Sequence, residues 1–118
     1  MIRLFILIEG ASFIAAALTH FGILAQGYQH RMAGRAESII GIVLLAGWAL
    51  SWIRPAWTRG VGLSVQGFAL LGTLVGLYTI AIGVGPRTTP DLIYHGCIVI
   101  VLVSGLVLTL RARTERLK

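Results

Sequence analysis

Four long apolar stretches, separated by short polar connections, set the plan of this chain. Residues 4–24 are interrupted mainly by Glu9 and His20. Residues 36–53 carry one acid, Glu37, near their start. Residues 61–84 hold Gln66 as their main polar side chain, and residues 92–110 contain His95, Cys97 and Ser104. Each stretch is close to the roughly 20 residues a helix needs to cross a bilayer. A lone apolar strand in lipid would leave its backbone polar groups unpaired, so all four are expected to be helices. The pattern predicts an all-α integral membrane bundle of four transmembrane helices, folded as a single domain over 1–118.

The connections 25–35, 54–60 and 85–91 and the tail 111–118 are each too short to form a domain. Their breaker residues agree with the plan: Arg54-Pro55 closes the second span and Gly83-Val84-Gly85-Pro86 closes the third. Thr88-Thr89-Pro90-Asp91 predicts a helix start. A threonine can cap, proline suits the first turn, and Asp91 meets the positive end of the helix dipole.

Composition sharpens this reading. Of the 118 residues, 57% are hydrophobic and 12% charged, against about 25% charged in soluble domains. An ordinary soluble fold and a disordered chain are both excluded. The net charge of +6 comes from basic residues at the ends of spans, which points to membrane lipid rather than nucleic acid as the partner. Arg3, Arg54, Arg59, Arg111, Arg113, Arg116 and Lys118 fall on one side, and Arg31, Arg35 and Arg87 on the other. The excess places both termini in the cytoplasm, in a bacterial inner membrane, with the basic tail against anionic lipid. Trp48, Trp52 and Trp57 cluster toward the inner interface, and Tyr28, Tyr78 and Tyr94 toward the outer one. Arg3 followed by apolar residues and Ala15-Ala16-Ala17 has the outline of a signal peptide, but Glu9 would fall inside its apolar core, so residues 1–24 are expected to be a retained span. Cys97 is the single cysteine, which excludes an intrachain disulfide and suits a small packing residue.

Fifteen glycines are a packing signal. In the third span Gly62, Ala69, Gly76 and Gly83 recur every seven residues, and Gly72 with Gly76 forms a GxxxG. Such a stripe admits close approach of another helix, either within one bundle or in a homo-oligomer or larger membrane complex. A faint repeat relates Glu9-Gly10 to Gln66-Gly67, 57 residues on.

Ionisable residues inside a span are costly and face a partner, a cavity or a pathway. Glu9 lies about one-third of the way through the first span, at a depth similar to Gln66 on the third. The two residues suit either a proton or cation site or a buried hydrogen bond joining the spans. His20 follows Glu9 by eleven residues, about three turns, so both lie on one face. His95 is one turn inside the outer end of the fourth span, four residues after Asp91. The outer layer therefore collects His20, Glu37, Asp91, Tyr94 and His95, with His30 above them.

Four readings of this layer follow. His20 and His95 can serve as the two axial ligands of a haem b, with Gly22 and Gly96 leaving room for the porphyrin and Arg31, Arg35 or Arg87 meeting its propionates. His20, Glu37 and His95 can hold Zn²⁺ or a similar metal. The same groups can hold a small organic ligand. Finally, the histidines can simply hydrogen-bond at the interface. The chain has no Walker loop, no dinucleotide fingerprint and no Ser/His pair, so no catalytic signature marks it as an enzyme.

Four spans, a short chain and Glu9 early in the first span resemble the small multidrug-resistance transporters. That resemblance implies an acid at Glu9 exchanging protons for cationic drugs. The family's other span motifs are missing, and the strong charge bias here predicts one fixed orientation. The segment Gly83-Val84-Gly85-Pro86-Arg87-Thr88-Thr89-Pro90-Asp91-Leu92-Ile93-Tyr94-His95 is more similar to a distinct group of small bacterial four-helix membrane proteins sharing a GPRTxPDxxYH segment. It implies that the third connection and the start of the fourth span act as one unit. The leading expectation is a membrane binding protein, open to a redox role, with an outward His/acid site for haem, metal or a small ligand. The alternatives are a proton-coupled transporter of small cations using Glu9 and a non-catalytic accessory subunit.

Overall fold

The structure, a computed structural model, describes residues 1–112. Arg113, Arg116, Lys118 and the lipid contact expected of the tail lie outside the described residues. Helix α1 spans Ile2–His20, α2 Arg31–Ile53, α3 Thr58–Ala81 and α4 Thr89–Arg111, with one 3-10 turn at Pro55–Trp57. No strand occurs among the described residues. All four helices are long and apolar enough to cross a membrane.

Polarity is distributed the reverse of a soluble bundle. Ile8, Ile39, Ile42, Leu71, Val75 and Ile100 are exposed, whereas Glu9, His20, Glu37, Gln66, Asp91, His95 and Thr109 are buried. Polar side chains are turned inward to partners, as a lipid environment requires. The apolar core runs between them through Ile6, Phe13, Ile40, Leu44, Ala69, Ile98 and Leu102. Helix α1 packs chiefly on α2 and also touches α3 and α4, and α3 likewise touches the other three helices.

Helix ends explain where the observed boundaries depart from the sequence pattern. The first span was expected to run to residue 24, yet α1 stops at His20. Gly22 takes φ +78°, its N–H donates to the Thr19 carbonyl, and the Ile23 N–H donates to the Leu18 carbonyl. This is a Schellman stop, a paired carbonyl closure that needs a left-handed residue, and glycine adopts that conformation without strain. The third span ends the same way: Gly83 has φ +84°, and the N–H groups of Gly83 and Val84 donate to the carbonyls of Ile80 and Thr79. Gly83 therefore lies beyond α3 as its cap, not on the packing stripe.

Helix α2 begins at Arg31, five residues before the expected start at 36, because the His30 ring accepts from the Ala33 N–H and caps it. Helix α4 starts at Thr89 rather than 92. The Thr88 hydroxyl accepts from the Asp91 N–H, and the Asp91 carboxylate accepts from the Thr88 N–H, a reciprocal capping box. Two arginines then settle free carbonyls at helix ends. Arg59 donates to Leu110 O at 3.0 Å, and Arg87 donates to Ile80 O at 2.9 Å and Ala81 O at 3.1 Å.

The stripe on α3 is used within the chain. A Cβ at Gly62 would meet Ile2 and Thr109, one at Gly72 would meet Ile40, and one at Gly76 would meet His95, while Ala69 is fully buried. The tightest approach is on α4, where a Cβ at Gly105 would lie 2.5 Å from both Gln66 Nε2 and Glu9 Oε1. Gly105→Ala is therefore expected to cost about 1–3 kcal/mol through overpacking. Gly67→Ala, which meets open space, should be neutral or gain up to about 1 kcal/mol from helix propensity. Thermal unfolding in detergent, followed by circular dichroism, compares the two. Equal melting temperatures would contradict the close approach at Gly105.

Candidate functional site

The two ends of the bundle hold different polar systems. At the end nearer the N-terminus of α1, Glu9, Gln66 and Thr109 form a chain across α1, α3 and α4. Gln66 Nε2 donates to Glu9 Oε1 at 3.0 Å and Oε2 at 3.1 Å. Thr109 Oγ1 is 2.8 Å from Gln66 Oε1 and also 2.8 Å from its own helix's Gly105 carbonyl. All three residues are fully buried. The sequence brought Glu9 and Gln66 to one depth but missed Thr109. The same depth count on the fourth span was the signal that could have found it. Nearby, Arg3 reaches across to the Ser51 carbonyl at 2.8 Å and lies 4.2 Å from the Trp52 ring centre.

At the opposite end, His20 stands between two carboxylates. Its Nδ1 is 2.6 Å from Glu37 Oε2 and its Nε2 is 2.7 Å from Asp91 Oδ1. His20 is the last residue of α1, Glu37 lies in the second turn of α2, and Asp91 lies in the first turn of α4, so one ring ties three helices. The second Asp91 oxygen accepts from the Thr88 N–H and hydroxyl. The cap of α4 and the partner of His20 are thus one carboxylate. The loop closes over this cluster: the His30 N–H donates to the His20 carbonyl at 2.8 Å, and His30 Nε2 donates to the Val84 carbonyl at 3.1 Å.

His95 belongs to a neighbouring site. Its Nδ1–H donates to the Asp91 carbonyl at 2.7 Å. With Nδ1 as donor, Nε2 of the neutral ring carries the lone pair. That nitrogen lies on the α3 side, where a Cβ on Gly76 would be 3.6 Å away. Here α2, α3 and α4 and the loop at 84–86 line a partly open cavity of about 150 Å³. This matches the size of an engineered apolar cavity that takes up benzene. Phe13, Ile40 and Ile98 form apolar wall, and Glu37, Tyr94 and His95 supply polar groups. The Tyr94 hydroxyl is buried without a hydrogen-bond partner. A buried phenol normally finds one, so this hydroxyl is a polar group that the described residues leave unanswered.

The residues expected to bind a cofactor are thus near one another but differently employed. Both His20 nitrogens face carboxylates, which leaves neither turned toward an iron shared with His95. His20, Glu37 and His95 do not converge on one point, and no group of three or more His, Cys, Asp or Glu side chains among the described residues is arranged to hold a metal ion. Arg87 is committed to the end of α3, and Arg31 and Arg35 are exposed. Cys97 is exposed on α4. Comparison with known protein families, curated proteins and solved structures gives no match.

Loss of His20 would leave Glu37 and Asp91 buried without their shared partner. His20→Leu is expected to cost about 3–5 kcal/mol, the range for removing one member of a buried ionic set. His30→Ala, which removes a helix cap, should cost about 1 kcal/mol. Thermal melts of the two variants in one detergent test this order, and a His20→Leu protein as stable as His30→Ala would contradict it.

Proposed function

We propose that this chain is an integral protein of a bacterial inner membrane, with both termini in the cytoplasm, and that its outward-facing end binds a small, largely apolar molecule bearing one polar group. The observation that carries the binding role is the cavity of about 150 Å³, apolar for the most part, with Glu37, Tyr94 and His95 among its lining residues. Such a pocket, mostly apolar with a few convergent polar groups, has the character of ligand sites in general. Apolar outer surfaces on all four helices support the membrane location. The excess of basic residues near the N-terminus of α1 and the C-terminus of α4 supports the orientation.

Of the ligands considered from sequence, a small organic molecule has the best support. A haem axially bound by His20 would require the ring to release Glu37 or Asp91, at the cost of an unpaired buried carboxylate. The proton-coupled alternative has less support, because Glu9 does not line the cavity and its carboxylate is already engaged by Gln66.

Two measurements test the proposal. A cysteine introduced at Gln26 in a Cys97→Ala background should react with a membrane-impermeant maleimide in spheroplasts, and failure to label there would overturn the orientation. Ala36→Trp should fill the cavity from α2. Protein isolated with its native lipid in polymer discs should release a small molecule, detected by mass spectrometry, that is depleted in Ala36→Trp. Identical extracts from the two proteins would count against a binding role.

A further inference from the structure

The charge balance of the His20 cluster indicates what the cavity takes, on the reading that it binds a small molecule. One oxygen of Asp91 accepts from two groups of Thr88 and the other faces His20 Nε2, so Asp91 is held as a carboxylate with His20 Nε2–H donating to it. Between His20 Nδ1 and Glu37 Oε2, 2.6 Å apart, one further proton is shared, whichever atom carries it. The three groups therefore sum to one net negative charge. Among the described residues the two His20 contacts are the only ion pairs, and no arginine nitrogen comes within 4.0 Å of either carboxylate. The Glu37 side chain is only 7% exposed. A buried charge without a counterion is unfavourable, and the cavity is the space in which one can sit.

The polar groups of the cavity specify the kind of counterion. With its Nδ1–H given to the Asp91 carbonyl, the neutral His95 ring presents a lone pair at Nε2, and Glu37 keeps a carboxyl oxygen that His20 does not use; both residues line the cavity. Two acceptors, one of them a carboxylate oxygen, suit a cationic group with several N–H donors. The apolar walls at Phe13, Ile40 and Ile98 suit a short hydrocarbon and disfavour a hydrated metal ion. We infer that the cavity binds a small primary amine in its ammonium form, with nitrogen beside Glu37 and His95 and its hydrocarbon against Phe13, Ile40 and Ile98.

The test uses the full chain in lipid nanodiscs with ¹³C at tyrosine Cζ, the Tyr94 resonance being assigned by its loss in Tyr94→Phe. n-Butylammonium chloride, n-butanol and potassium chloride are titrated at constant ionic strength. The ammonium should shift Tyr94 saturably, with the alcohol at least about tenfold weaker, as expected for losing a charge-assisted hydrogen bond. Potassium should give no saturable shift. Glu37→Gln should weaken the ammonium by about tenfold or more and leave the alcohol unchanged. If circular dichroism shows that Glu37→Gln does not fold, His95→Gln serves instead, again weakening the ammonium more than the alcohol. Equal saturable binding of ammonium and alcohol would overturn the ammonium assignment while leaving a small-molecule cavity in place. A potassium response equal to the ammonium response would overturn it in favour of an inorganic cation. No saturable shift with any probe would also overturn it, and the binding role would then rest on the Ala36→Trp comparison alone.

Discussion

One imidazole, held between two carboxylates, orders the end of the bundle that contains the cavity. Because both His20 nitrogens are used, the ring fixes the rotation of α1, α2 and α4 relative to one another. The three helix ends are built to deliver it. The Gly22 closure makes His20 the final residue of α1, the His30 cap sets the register that carries Glu37 inward, and the Thr88 capping box orients Asp91. Such a buried ionic set adds little net stability over an apolar replacement of the same volume. Here it selects one arrangement of three helices whose apolar surfaces alone could slide past one another.

The other end solves the same problem without a cation. Glu9 is met by a side-chain amide, the amide by a hydroxyl, and the hydroxyl by a backbone carbonyl. The chain closes on itself across α1, α3 and α4, and Gly105 removes the side chain that would otherwise hold the helices apart. Glycines on α3 act in the same way. Gly62 and Gly72 let neighbours of the same chain approach.

The helical plan was legible because lipid-length apolar runs have few alternatives. The Thr88–Asp91 start was legible because capping is local chemistry. The glycine stop after the first span was not: hydropathy carries that span on through Phe21, Ile23 and Leu24, and only the backbone conformation of Gly22 ends it. The early start of α2 was hidden because histidine is an uncommon cap. Within the site, the sequence gathered His20, Glu37, Asp91, Tyr94 and His95 into one layer by depth. It could not assign pairs, because depth says nothing about the direction a side chain faces across a bundle. Asp91 was read as a partner of its own helix dipole, and its second role toward His20 depends on α1 lying beside α4.

The contrast between the two ends has a common cause in side-chain volume. Around Glu9 the space is filled by Ile6, Leu102 and Phe5, and the polar chain is completed within the protein. Beside Glu37 the facing positions are small: Ala33 and Ala36 on α2, and Gly72, Thr73 and Gly76 on α3. Both threonine hydroxyls near this wall, Thr73 and Thr79, turn back to carbonyls of their own helix and leave the Tyr94 hydroxyl unanswered. The early stop of α3 then lets residues 84–86 fold over the top, where His30 holds them through the Val84 carbonyl. Space, an unanswered hydroxyl and an unbalanced carboxylate thus fall together at one end because small residues and a glycine stop occur there. Glu37 also ties α2 to α1 through His20, so the cavity is bordered by the same carboxylate that orders this end of the bundle.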